Sequence, residues 1–309
     1  MRRTFIAALL ELARREPRVL LLTADLGYSV VEPFAEALPD RFFNVGVAEQ
    51  NLVGVATGLA EAGFVPFVYS IAAFASMRPY EFIRNGPIAH RLPVRVIGVG
   101  GGFDYGTAGF THHALEDVGI LRVDPGITVV APADASQAVG ALGATWDLPR
   151  PVYYRLAKDE EGRLTGLDGR FELGRANVVR DGADMIVLAM GSAAFEAAGA
   201  VEILARRGVS SALAVVSSFN PSPADDLAGV LERFPLAVTV EHHFQAGGLG
   251  SLVCEVAAER GIRCRVVRCA VDRLPDAVSG SDRSLLARHG LGRDTIVERA
   301  LSALDSGLP

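Results

Sequence analysis

Short apolar runs alternate with stretches of helical periodicity along almost all of the 309 residues. Val19–Thr23, Val94–Val99 and Ser211–Val216 have the β-branched, continuously apolar character of buried strands. Amphipathic segments such as Thr4–Arg15 separate them. Strands that are joined through helices pair in parallel and need helices on both faces of the sheet. The sequence therefore predicts an α/β fold built from three-layer α/β/α units with mainly parallel sheets.

One segment interrupts this alternation. Lys158–Gly174 is rich in charge and glycine and has no apolar period, which is typical of a linker. The strand and helix pattern then begins again. We therefore predict a first domain over 1–157, a linker over 158–175 and a smaller second domain over 176–309.

Composition excludes several classes of protein. No apolar run approaches the ~18 to 20 residues that span a bilayer. The net charge is −6 and the charges are scattered, which gives no reason to expect nucleic acid or an anionic membrane as a partner. The three cysteines have the spacing of neither a zinc site nor a disulfide framework, so we expect reduced thiols in a cytoplasmic protein.

The segment Asn44–Ala60 contains the first candidate for chemistry. Glu49 follows a predicted strand and opens a helix whose first turns have few large side chains. A carboxylate at that position is stabilised by the helix dipole. The pattern alone leaves two interpretations open, a structural acid on a closely packed helix or a functional acid.

A glycine-rich loop, Gly100–His113, contains the second candidate. It ends in two adjacent histidines, His112 and His113, which suit proton transfer or hydrogen bonding to a substrate. A phosphate loop is disfavoured, because no Lys-Ser/Thr follows the glycines. Solvated histidines in a mobile loop remain the alternative.

Asn44–Ala60 closely resembles the glutamate motif in the pyrimidine-binding domain of transketolases. The resemblance implies that Glu49 hydrogen-bonds the aminopyrimidine ring of thiamine diphosphate and favours its imino tautomer. It also implies that Phe74 stacks on this ring, that Ile71 and Met77 complete an apolar pocket, and that Asp25 lies near the thiazolium side. Many transketolases have aromatic residues at the positions of Ile71 and Met77.

The same resemblance implies a substrate site. His112 matches a histidine that faces the substrate, and Arg2, Ser29 and Arg155 match a group that binds phosphate. Two positions depart from the sugar-phosphate transketolases, because Gly100 replaces a histidine and Ala108 replaces an aspartate that reads a substrate hydroxyl. We therefore expect a sugar substrate other than the usual ketose phosphates.

The second predicted domain resembles the C-terminal domain of transketolases, at Val240–His243, Gly247–Ser251 and Leu285–Gly292. The resemblance implies a role mainly in assembly. Glu241, His242 and His243 have no fourth ligand at a suitable spacing, so no metal site is predicted in this chain.

A missing motif predicts a partner. Enzymes of this group bind the diphosphate and a divalent cation, Mg²⁺ or Ca²⁺, through Gly-Asp-Gly and a later Asn, and Gly-Asp-Gly does not occur in this sequence. We therefore expect a separate N-terminal subunit that carries Gly-Asp-Gly…Asn, an α2β2 assembly, and transfer of a two-carbon ketol unit from a ketose to an aldehyde.

Two other functions remain open from the sequence. The beta subunit of the decarboxylating component of a 2-oxo acid dehydrogenase has a similar length, the same two domains and a related Ala-Glu-Gln motif. A non-catalytic subunit that only organises an assembly is the third possibility, and it would not need to keep Glu49.

Overall fold

The computed structural model describes residues 1–158, 162–274 and 278–306, which contain two β-sheets. The strands of the described residues are β1 Val19–Thr23, β2 Phe42–Asn44, β3 Val65–Ile71, β4 Arg95–Val99, β5 Thr128–Val130, β6 Val152–Leu156, β7 Ala176–Arg180, β8 Met185–Met190, β9 Ser211–Val216, β10 Ser218–Asn220, β11 Leu236–Phe244 and β12 Arg265–Val271. The predicted strands Val19–Thr23 and Ser211–Val216 are confirmed with the predicted bounds.

Helices connect most of these strands. In the described part of the chain they are α1 Arg2–Arg15, α2 Glu32–Ala37, α3 Glu49–Glu61, α4 Ala72–Met77, α5 Tyr80–Ile83, α6 Asp117–Arg122, α7 Ala135–Thr145, α8 Ala193–Arg206, α9 Ala224–Leu231, α10 Leu249–Glu259, α11 Asp282–Arg288 and α12 Arg293–Asp305. Short 3-10 turns lie at Pro39–Arg41, Gly106–Ala108 and Phe110–His112.

The first sheet has the strand order β10-β5-β6-β4-β3-β1-β2. Every neighbouring pair in it is parallel except β10 with β5. The second sheet has the order β12-β11-β8-β9-β7, and only β7 is antiparallel to its neighbour. Helices flank both sheets, so the predicted α/β class with mainly parallel sheets is confirmed.

The two predicted domains are joined by strand pairing and hydrogen bonds as well as by the chain that connects them. Strand β10 belongs to the second predicted domain by sequence but lies at the edge of the first sheet. The side-chain amide of Asn220 donates hydrogen bonds to the carbonyl oxygens of Asp124 and Ile127, at 2.8 and 2.6 Å. A backbone ladder and these two bonds therefore join the halves of the chain directly.

The segment that we expected to be a linker packs against the protein. Leu164 and Leu167 are buried in the apolar core, and the Leu164 N–H donates to Asp134 Oδ2 at 2.9 Å. Charge and glycine content indicated a loop correctly, but two leucines in that loop are enough to anchor it. Residues 159–161 of the predicted linker lie outside the described residues.

The sequence predicts a helix around Met77–Arg91, and this prediction is wrong in its extent. The chain forms α4 and α5 and then a π-helical turn over Arg84–Ile88. Pro79 separates α4 from α5, and Pro87 lies within the π-helical turn. Proline has no N–H to donate and clashes with the preceding turn, which explains why a single regular helix does not form.

Candidate active site

Three loops meet at one edge of the first sheet. They are Asp25–Ser29 after β1, the turn into α4 after β3 and the glycine-rich loop Gly100–His113 after β4. Strands β1, β3 and β4 are neighbours and run in parallel, so their carboxyl ends lie side by side. Loops at this edge of a parallel sheet are the usual place for a ligand site in α/β proteins.

Glu49 lies at this edge as the first residue of α3. Its side chain is only 2% exposed. Ser70 Oγ on β3 donates to Oε1 at 3.3 Å, and Arg78 Nη1 donates to Oε2 at 2.9 Å. A buried carboxylate needs such partners, because burial without them costs several kcal/mol, in the range of ~3–5.

Phe74 lies beside this acid and is contacted from two sides. The guanidinium carbon of Arg78 is 3.8 Å from the centroid of the Phe74 ring. The ring of His112 meets the Phe74 ring edge-on, with 4.9 Å between centroids. Arg78 thus links Glu49 to Phe74, and the structure brings these predicted residues together with His112.

The remaining residues of the expected ring pocket flank Phe74 in the sequence. Ile71 ends β3 and is half-buried, while Met77 ends α4 and is exposed. Met77 lines a cavity together with Tyr80, Ile120 and Val123, so its contact with a cofactor ring stays a prediction. The aromatic Phe74 and the buried acid suit a flat heteroaromatic ring with a hydrogen-bonding nitrogen, since such a ring needs apolar contact on its faces and a polar partner at its edge.

Asp25 is held next to the segment that leads to Glu49. Its backbone N–H donates to Asn44 Oδ1 at 3.0 Å, and Asn44 Nδ2 donates back to Asp25 Oδ1 at 2.9 Å. The Gly46 N–H also donates to Asn44 Oδ1, at 3.0 Å. Asn44 therefore fixes the loop after β1 to the loop after β2, and the second of these loops leads to the acid.

The expected anion group is only partly assembled. Arg3 Nη2, rather than Arg2, approaches Ser29 Oγ, at 3.5 Å. Arg2 instead lies near the phenol of Tyr69. Burial raises the pKa of this phenol well above its usual value, and the charge of Arg2 lowers it in part. The Ser29 N–H donates to Glu32 Oε1 at 2.7 Å, so an acid lies within the same group.

Arg155 has a different environment from the one that we expected. Its side chain is 4% exposed, and its Nε donates to both carboxylate oxygens of Asp117, at 3.1 and 2.9 Å. Its Nη2 donates to the carbonyl oxygens of Ala114 and His242, at 3.0 and 2.8 Å. A guanidinium that is buried and bonded in this way does not fit a phosphate-binding arginine, and it joins the two halves of the chain instead.

The residues Glu241, His242 and His243 also have structural partners. Glu241 accepts the backbone N–H groups of Leu249 and Gly250 at the start of α10, at 2.6 and 2.8 Å. His243 Nε2 accepts the Gly119 N–H at 3.1 Å, and burial lowers the pKa of His242 to about 4. Within residues 1–158, 162–274 and 278–306, no cluster of three or more His, Cys, Asp or Glu side chains could hold a metal ion.

Sequence reasoning missed two neighbours of the site. Arg78 follows Phe74 by four residues, a spacing that places two side chains on the same helix face, so the sequence did contain a signal for it. Tyr105 gave no such signal. Its ring lies against Gly100, where a Cβ atom would be 2.2 Å from Tyr105 Cε2, so the tyrosine ring fills space that a side chain at position 100 would need.

The helices of the described residues include none with the length and apolar character of a membrane span. The three cysteines are free thiols, as predicted. Cys269 is buried, and Cys254 and Cys264 are half-buried.

Comparison with known proteins identifies both halves of the chain. Residues 1–161 match the transketolase pyrimidine binding domain, and residues 174–296 match the transketolase C-terminal domain. The chain is 34% identical to one of the apulose-4-phosphate transketolase subunits of Phocaeicola vulgatus over 97% of this chain and 96% of that protein. It is 35% identical to a 6-deoxy-6-sulfo-D-fructose transketolase subunit of Clostridium sp. over 84% of this chain and 81% of that one.

Solved structures agree with this assignment. A split-gene transketolase, described as an inactive β4 tetramer, superposes with a TM-score of 0.88 at 34% identity, covering 98% of this chain and 97% of that one. The transketolase of Campylobacter jejuni superposes with a TM-score of 0.80 over 97% of this chain and 46% of that protein, and at 18% identity it shows the fold alone. The chain therefore belongs to the transketolase family, as a C-terminal subunit that carries the pyrimidine-binding and C-terminal domains.

Proposed function

We propose that this chain forms its active site together with a separate N-terminal subunit, which carries Gly-Asp-Gly…Asn and holds the diphosphate and a divalent cation, Mg²⁺ or Ca²⁺. The pair transfers a two-carbon ketol unit from a ketose donor to an aldehyde acceptor. The observation that carries this proposal is the buried carboxylate of Glu49, which Arg78 links to the Phe74 ring at the carboxyl edge of the first sheet.

The residues of this chain fit one end of thiamine diphosphate. When bound, the cofactor supplies the nucleophilic carbon that accepts the ketol unit. Glu49 would hold a proton at a nitrogen of the pyrimidine ring, and Phe74, Ile71 and Met77 would contact the faces of that ring. Asp25 would lie toward the thiazolium side. A diphosphate needs its charge neutralised, and the second subunit is proposed to do this.

The proposed substrate is an anionic ketose. The relatives described above are named for a sugar phosphate and a sulfonated sugar, both of which are anions. His112, half-exposed beside Phe74, is proposed to donate to substrate oxygens or to transfer a proton. Arg2 and Ser29 remain the proposed anion contacts, with Arg3 added by its approach to Ser29.

Exposed apolar side chains around Glu49 support the proposed partner. Val47 lies two residues before the acid and is 71% exposed. Val55 on α3 and Phe82 on α5 are also exposed, and Phe82 borders Gly54 of α3. Apolar residues that are concentrated on one face of a protein mark an interaction surface. An α2β2 assembly would cover this face and close the site.

The other two functions are not favoured. The relatives described above are transketolase subunits rather than components of a 2-oxo acid dehydrogenase. A subunit that only organises an assembly has no need of a buried acid that requires both Arg78 and Ser70 as partners.

Reconstitution with the N-terminal subunit tests the proposal. We expect Glu49→Gln to lower ketol transfer by about two to four orders of magnitude, because the carboxyl group no longer exchanges a proton with the ring. Assembly of the two chains should persist by size-exclusion chromatography. Glu61→Gln, an exposed acid at the end of the same helix, is the matched control and should leave turnover unchanged. Unchanged turnover in Glu49→Gln would contradict the proposal.

A further inference from the structure

One side chain contacts both groups that the proposed function assigns to the pyrimidine ring. Arg78 Nη1 donates to the Glu49 carboxylate at 2.9 Å, and its guanidinium carbon lies 3.8 Å from the centroid of the Phe74 ring. The acid and the aromatic face that would hold the cofactor are therefore both occupied by a group of the protein itself.

The guanidinium group resembles the ring in the contacts that it makes. It is flat, it presents N–H groups at its edge to a carboxylate, and its face stacks on an aromatic ring. An aminopyrimidine is also flat, and its polar edge has a ring nitrogen and an amino group that can form hydrogen bonds. The guanidinium and a pyrimidine ring cannot bind the same carboxylate oxygen and the same aromatic face together.

The two side chains of the Arg78–Glu49 pair differ strongly in their exposure to solvent. The Arg78 side chain is 42% exposed, whereas the Glu49 side chain is 2% exposed. Arg78 is the residue that follows the last turn of α4, so its long side chain can rotate into solvent without unfolding the helix. The buried Glu49 side chain cannot move into solvent, whereas the Arg78 side chain can.

We propose that Arg78 is a displaceable substitute for the cofactor ring. It holds Glu49 and Phe74 in the empty subunit and moves into solvent when the pyrimidine ring binds. The proposal rests on the proposed function, since it requires the ring to bind between these two residues. Arg78 is a positioning residue in this scheme.

The test uses the two-chain complex and isothermal titration with thiamine diphosphate in the presence of Mg²⁺. We expect Arg78→Ala to bind the cofactor more tightly, on the order of tenfold, because the competing ion pair and cation–π contact are gone. The isolated variant chain should also melt at a lower temperature.

Two further variants complete the test. Arg84→Ala removes an exposed arginine that bonds only to its neighbour Asn85 among the described contacts, and it should leave the affinity unchanged. Arg78→Lys keeps a cation for Glu49 but loses the flat group, so its gain in affinity should be smaller. Arg78→Lys also serves if Arg78→Ala does not fold.

Weaker or unchanged cofactor binding in the Arg78 variants would overturn the inference. Failure of the wild-type complex to bind thiamine diphosphate at all would be a different result. It would contradict the proposed function itself, because the displacement of Arg78 presupposes that binding.

Discussion

Replacing Arg155 with Met should destabilise the fold rather than weaken substrate binding. The guanidinium is buried against Asp117, whose side chain is 1% exposed. Asp117 also accepts a hydrogen bond from the hydroxyl of Tyr153 at 2.7 Å, and Arg155 reaches the carbonyl oxygen of His242 in the second half of the chain. The arginine therefore neutralises a buried acid and joins the two halves at the same time.

The size of the loss in the free energy of unfolding follows from the groups that remain after Arg155→Met. Asp117 stays buried without a cation, and breaking one partner of a buried pair costs about 3–5 kcal/mol. The carbonyl oxygens of Ala114 and His242 each lose a donor as well. For a chain of this size such a loss corresponds to a fall in melting temperature of about 5–8 °C.

Differential scanning fluorimetry of the isolated chain measures this effect, and Arg260→Ala is the matched control. Arg260 pairs with Asp225, and these side chains are 53% and 89% exposed. Exposed pairs contribute about 0.2–1 kcal/mol, so Arg260→Ala should lower the melting temperature only slightly. Asp117→Leu combined with Arg155→Met should recover part of the loss, because no buried charge is then left unpaired.

A different result would refute this reasoning. If Arg155→Met melted like the wild type but raised the KM for an anionic ketose in the reconstituted pair, the arginine would be a substrate contact, as the resemblance to transketolases implied. The distances and burial around Arg155 would then describe a state that the working complex leaves.

Two more predictions concern histidines. Burial lowers the pKa of His242 to about 4, so the unfolded chain binds more protons than the folded chain below the usual pKa of about 6.5. The contribution of this group to the free energy of unfolding is therefore complete above pH 6.5. It is lost as the pH falls toward 4, by up to about 3 kcal/mol. His242→Gln should flatten that part of the pH–stability curve in denaturant titrations. His112→Ala should lower kcat/KM for ketol transfer by about 10²–10³-fold while the dissociation constant of thiamine diphosphate stays the same, because the histidine is proposed to act on the substrate. Weakened cofactor binding in that variant would assign His112 to the ring pocket instead.

The sequence determined the fold class because its strongest signals are local. The continuous apolar run Val19–Thr23 and the small-residue helix after Glu49 can form little else than a buried strand and a closely packed helix. Strand β10 escaped prediction because three residues, Ser218-Phe219-Asn220, contain no measurable period. Its position at the edge of the first sheet depends on the contacts of Asn220 with residues more than 90 positions earlier.

The candidate site was predictable where one motif contained it and unpredictable where distant segments meet. Glu49 and Phe74 could be identified from their own surroundings in the sequence. The pairing of Arg78 with Glu49 joins residues 29 positions apart, and that of Arg155 with Asp117 joins residues 38 apart. No spacing rule connects such residues, so a resemblance could place Arg155 at the end of β6 correctly and still imply the wrong environment for its side chain.

These two arginine–carboxylate pairs have the same shortest distance and opposite expected roles. Each has a nitrogen–oxygen distance of 2.9 Å and one acid that is almost completely buried. They differ in the cation, since Arg155 is 4% exposed and Arg78 is 42% exposed. A buried cation cannot leave its acid without a large cost in stability, whereas a cation that reaches solvent can be exchanged for a ligand. Removing the arginine should therefore destabilise the fold severely at Asp117 but tighten cofactor binding at Glu49, and the exposure of the cation is what distinguishes the structural pair from the ligand site.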